Sequence, residues 1–119
     1  MTLADLFDAA EKAGTLATLP DEAFPRLHKP VKDVALDMSY LRAQAEGKDA
    51  ARAAAAVRLV GMLAATRLHD SVARPIADAA VKHADAKVAA VAALAVEAID
   101  TALADKAATL RASAALESL

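Results

Sequence analysis

Chemistry in this chain of 119 residues has to come from few reactive side chains. There is no cysteine, which removes disulfides, thiolate nucleophiles and Cys-based zinc sites. His28, in "PRLHKP", sits among prolines in a segment expected to be exposed. His69 and His83 close successive helical stretches, where a cation meets the negative end of a helix dipole. A two-His metal site would need them to converge with a carboxylate such as Asp70 or Asp85, and no H-E-x-x-H or Glu-x-x-His spacing supports one. Ser39, Ser71, Ser113 and Ser118 have no nucleophile-elbow context. Gly14, Gly47 and Gly61 stand apart, so no glycine-rich loop cradles a phosphate. Asp33 and Asp37 lie at i, i+4, but Lys29, Lys32 and Arg42 beside them make a solvated charged face. The reading is of a non-enzymatic chain with no cofactor and no metal.

The elements around these residues are built mostly from alanine. Of the apolar 57%, Ala supplies 36 residues and all larger apolar side chains together 32. Such a core must be thin, with backbones close together, and helix formation is locally favoured because Ala has the best helix propensity. The 3% aromatic content argues against base-stacking surfaces and against sheets. Fourteen basic and sixteen acidic residues are mixed along the chain, with no basic field for nucleic acid. The start "MTLADLFDAAEK" has acids where a signal peptide needs basic residues, and the most apolar window, Val88 to Ile99, is too short to span a bilayer. A cytoplasmic protein without membrane or nucleic-acid partners is expected.

Residues 1–119 are read as one all-helical domain, with an N-terminal helix and Pro-containing connector over 1–29 and a helical core over 30–119. Thr2 and Asp5 predict a capping box for a helix that Gly14 stops. "DEAFPRLH" is a short helical turn between prolines. A helix from Pro30 to Glu46 places Val31, Val34, Ala35, Met38 and Leu41 on one face, and Gly47 closes it. Asp49 caps the next, whose stripe is Val57, Val60, Ala64 and Leu68, widened by Leu59 and Leu63. Asp70-Ser71 opens another, with Pro75 expected in its first turn. Asp85 caps "AKVAAVAALAVEAID", whose small side chains predict a central helix with Val88, Val91, Ala92, Ala95 and Ile99 buried and Lys87 and Glu97 outward. Asp105 marks an expected last break. The fold class is all-α, a compact bundle or short stack of five to six Ala-rich helices.

Asp49 and Asp85 are 36 residues apart, and "DAARAAAAVRLVGML" aligns with "DAKVAAVAALAVEAI". Over residues 31–104 this resembles the HEAT-type repeat, in which a turn Asp is followed by Val and then by Ala-rich core positions. Asp85, Val88, Ala92, Ala93 and Ile99 carry the likeness, and Asp49, Ala56, Gly61 and Leu63 carry part of it. The Arg common after that Val is Ala89 here, and Arg52 stands one place early. The resemblance implies stacked helix pairs. "RLHDSVARPI" also resembles the phospho-accepting segment of histidine kinases, except that Pro75 falls one residue late and begins the following helix.

These readings point to a helical protein–protein interaction or adaptor module that binds another protein or itself. Phe7, Phe24, Leu27 and Tyr40 are its candidate partner-binding anchors, the competing role being to plug the end of a thin core. The alternatives are a bundle holding a small apolar ligand in a slot beside Gly61 and Met62, or a subunit of a larger assembly such as a phage or secretion component.

Overall fold

The computed structural model describes the backbone of residues 2–66 and 69–117, and side chains as far as Thr101, those of Val31 and Asp70 excepted. Among the described residues there are six α-helices and no strand: α1 (Leu3–Ala13), α2 (Leu19–Ala23), α3 (Ala35–Glu46), α4 (Ala50–Ala65), α5 (Asp70–Ala80) and α6 (Ala86–Glu117). Two 3-10 turns, Phe24–Leu27 and Val31–Asp33, fill the connection from α2 to α3. The fold is all-α. None of these helices is long and apolar enough to cross a membrane.

Local signals set most boundaries. Thr2 Oγ1 accepts from the Asp5 N–H at 3.2 Å, and the Asp5 carboxylate accepts from the Thr2 N–H at 2.9 Å. These bonds to Thr2 hold the Asp5 carboxyl below its ordinary value. Gly14 ends α1 at φ 70°, a left-handed conformation that costs glycine nothing sterically. Asp49 caps α4 through the Arg52 N–H at 3.3 Å. Asp85 Oδ1 accepts from Lys87 N–H at 2.9 Å and from Val88 N–H at 3.3 Å, opening α6 as expected. Asp85→Ala is expected to lower stability by about 1 kcal/mol in chemical denaturation, the usual cost of a lost N-cap.

Three boundaries differ from expectation. The helix expected from Pro30 begins only at Ala35, because the backbone at Val34 leaves the helical region (φ −115°, ψ 10°) while its side chain is buried at that corner. Pro75 lies in the interior of α5 rather than in its first turn, and His69 occupies the N-cap position. Asp105 does not break α6, which runs 32 residues, about 48 Å at helical rise. Neither Gly nor Pro follows it, so the Ala-rich run simply continues.

The centre of the molecule is α4, not α6 as the small side chains of α6 led us to expect. Ala53, Ala55, Ala56, Val57, Leu59, Val60, Gly61, Leu63 and Ala64 are all buried, so α4 is enclosed nearly all round. It packs most broadly on α6, then on α5 and α3, and also meets α2. Leu68, the last member of the predicted stripe, lies outside the described residues. On α6, Val88, Ala92 and Ile99 are buried, whereas Val91 and Ala95 are only half-buried. Lys87 and Glu97 face outward, and so do Ala90, Ala93, Leu94 and Ala98. As far as Thr101, one face of α6 is therefore core and the opposite face is wet.

The pairs α3–α4 and α5–α6 lie side by side. His83 Nε2 is 2.8 Å from the Gly47 carbonyl, joining the turn before α6 to the turn before α4. The Asp85 N–H donates to His83 Nδ1 at 2.9 Å, so Nδ1 is the acceptor and Nε2 carries the proton given to Gly47. Both turns therefore sit at one end, and Gly61 meets Ala95 farther along, so α4 and α6 run parallel. In the other layer α3 touches α5. Arg74 of α5 ties the second pair together, bonding Asp78 at 3.1 Å and Asp100 of α6 at 2.9 Å.

Candidate binding groove

The four residues read as partner anchors lie around the α1–α3–α4 junction and the connector. Phe7 is wholly buried, edge-to-face with Tyr40 at 5.3 Å between ring centroids. Leu27 is wholly buried too. Phe24 is half-buried with its ring edge-to-face to the exposed His28 at 4.7 Å, and Tyr40 is half-buried. Phe7 and Leu27 thus belong to the core, and of the four only Phe24 and Tyr40 keep partial access to solvent.

Arg52, which carried no functional expectation, organises that junction. Its Nη2 donates to Asp8 Oδ1 at 2.7 Å and to the Tyr40 hydroxyl at 3.0 Å, its Nη1 lies 3.4 Å from Glu11, and its guanidinium sits 5.8 Å from the Phe7 ring centroid. Arg52 Nε is buried without a hydrogen-bond partner. The contacts of one side chain with α1 and α3 clamp the N-terminal helix onto α4. Burial pushes the Tyr40 phenol above its ordinary 10.0, against the opposing pull of the Arg52 charge. Tyr40 is the only tyrosine in the chain, so an absorbance titration reads it alone. We expect a midpoint above 10.0. The neutral phenol is favoured in the fold, so this contribution to stability is present below the unfolded value and lost as pH rises through the folded one.

His69 and His83 both bond the backbone of other segments. His69 is buried, at φ 55°, with Nε2 2.7 Å from the Leu27 carbonyl. His83 makes the two backbone bonds described above. Each meets a carbonyl at the end of a different helical segment rather than the end of the helix preceding it in sequence. Among the described residues no group of three or more His, Asp or Glu side chains is placed to hold a metal ion.

Among the clefts of the described residues, two adjoin the paired turns and the α4–α6 seam. One, of about 500 Å³, lies under the paired turns and is lined by Glu46, Gly47, Lys48, Ile76, His83 and Asp85 among others. Its distinctive polar groups are already committed, since both His83 nitrogens and the Asp85 cap bond backbone. The other is an open groove of about 420 Å³ between α4, α6 and the start of α2 with Ala17 before it. Its walls are Gly61, Met62 and Ala65 of α4, Val91, Leu94, Ala95 and Ala98 of α6, and Ala17 and Pro20. Arg58 and Asp21 supply one charge of each sign. A slot was expected beside Gly61 and Met62, and the groove is at that place, though open rather than closed. At Gly61, on the groove wall, α6 comes so near that a Cβ would stand 2.8 Å from Ala95 Cβ.

Leu94, on the lip of this groove, is 66% exposed, against an ordinary cost of about 1.5–3 kcal/mol saved by burying such a side chain. Sequence patterning gave no sign of this, since Leu94 sits in an all-apolar run. Comparison of the chain with known protein families, curated proteins and solved structures finds no match.

Proposed function

We propose that this protein is a non-enzymatic helical interaction module, built as two HEAT-like stacked helix pairs, whose groove between α4 and α6 receives an apolar segment of a polypeptide. The observation that carries the reading is the open apolar groove with Leu94 unburied at its edge. Support for the stacked-pair description comes from the parallel run of α4 and α6, the contact of α3 with α5, and the bond between turns 36 residues apart. The lining offers no nucleophile and no acid–base pair. An open trough suits a ridge of side chains from another chain better than a small molecule, which needs enclosure over most of its surface.

A photoreactive amino acid substituted at Leu94 tests this in cells of the native host. We expect a covalent adduct with a polypeptide, reduced when Met62→Asp charges the groove floor, and no matching adduct from the exposed Ser39 on α3. Adducts of equal yield from both positions, or none from Leu94, would overturn the reading.

A further inference from the structure

The groove's lip belongs to the outer face of α6, and that face carries its own complement. Lys87, Ala90, Leu94 and Glu97 are all exposed and follow one another at intervals of three, four and three residues, forming a stripe down the helix. Lys87 and Glu97 are ten residues apart, about 15 Å along the axis, so they cannot pair within one helix. Neither the Lys87 ammonium nor the Glu97 carboxylate makes an ion pair with another described side chain. As far as Thr101, the exposed face of α6 carries Ala90, Ala93, Leu94 and Ala98, with Lys87 and Glu97 at the two ends of the stripe.

We propose that this outer stripe pairs with a second copy of the chain, the two α6 helices packing antiparallel about a two-fold axis that passes outside the helix, level with the buried Ala92. This rests on the reading of the groove and its lip as a polypeptide-docking surface. The two-fold sets Lys87 of each copy against Glu97 of the other, and Leu94 of each against the other's Ala90. Both matches follow from one axis, because 87 with 97 and 90 with 94 share the same midpoint. The charge pairs are like the e and g pairs that set orientation in coiled coils, and the Leu-on-Ala contact fills a small-residue hole with a large knob. Such an interface is isologous and closes at two copies. A parallel pairing would stack Lys87 on Lys87 and Glu97 on Glu97, which like charges disfavour.

The test is sedimentation velocity of the purified full-length chain from about 1 µM to about 1 mM, the span of a modest interface. The wild type is expected to pass from monomer to dimer in that range, and Leu94→Asp to remain monomeric with unchanged helical circular dichroism. Lys87→Glu should weaken the dimer at least tenfold, and Lys87→Glu combined with Glu97→Lys should restore it. A wild type that stays monomeric, a dimer indifferent to Leu94→Asp, or a charge swap that fails to restore association would each overturn the proposal. The photoreactive probe at Leu94 separates this from the broader reading. Adducts only with other polypeptides, from a chain that is monomeric alone, remove self-pairing and leave the docking surface standing. No adduct and no dimer remove both.

Discussion

Truncating Phe7 to alanine is expected to lower the free energy of unfolding by about 3–5 kcal/mol, the range for a large aromatic removed from a core. The ring is wholly buried, and it supports two neighbours: Tyr40 at 5.3 Å and the Arg52 guanidinium at 5.8 Å. Without it the half-buried Tyr40 loses its edge-to-face partner and Arg52 loses the surface that backs its bonds to Asp8 and Tyr40. A domain of this size has only about 5–15 kcal/mol in hand, so a large part of its stability would go. Urea unfolding followed by circular dichroism reads the loss. A change below about 1 kcal/mol would mean that Phe7 is not a core residue, and would return it to the candidate interface. Tyr40→Phe, which keeps the ring contact and removes only the hydroxyl bonded to Arg52, is expected to cost about 1 kcal/mol.

The second large effect is expected at Gly61. An added Cβ would lie 2.8 Å from Ala95 Cβ and 3.5 Å from its Cα, and neither atom can rotate away. The helices must separate, and overpacking of this kind costs about 1–3 kcal/mol. Removing a helix-interior glycine returns about 1 kcal/mol of propensity. Gly61→Ala should therefore be destabilising by about 1 kcal/mol net, and Gly61→Val, which drives two more carbons into the seam, by about 3 kcal/mol. Ala95→Gly in the Gly61→Ala background should recover the steric part, giving a favourable coupling of about 1 kcal/mol or more in a double-mutant cycle. Strictly additive effects would show that α4 and α6 are not in close contact there. The same variants should widen the groove between the two helices, linking this packing to the docking surface.

Much of the local structure was legible because it depends on residues within a turn or two of each other. The Thr2–Asp5 capping box, the Gly14 stop and the caps at Asp49 and Asp85 are short-range hydrogen bonds and backbone preferences, and each is where the residue types put it. The all-α class follows from Ala propensity and the absence of any alternating run. The thin Ala-lined core led us to expect a slot beside Gly61 and Met62, and an open groove rather than a closed cavity lies there.

Only the tertiary structure decided which helix is central, where the wet face of α6 lies, and what the isolated polar residues do. An Ala-rich helix has little contrast between its faces, so periodicity cannot choose the buried one. Leu94 and Val88 look alike in sequence, yet one is 66% exposed and the other fully buried. Partners 36 to 44 residues away set the roles of His69, His83 and Arg52: the carbonyls of Leu27 and Gly47 and the carboxylate of Asp8. Local sequence carries no record of such pairings. They exist because α4, which α6 approaches closely at Gly61, is the helix around which the others are arranged. Its small side chains admit neighbours on nearly every side, whereas α6 meets them on one.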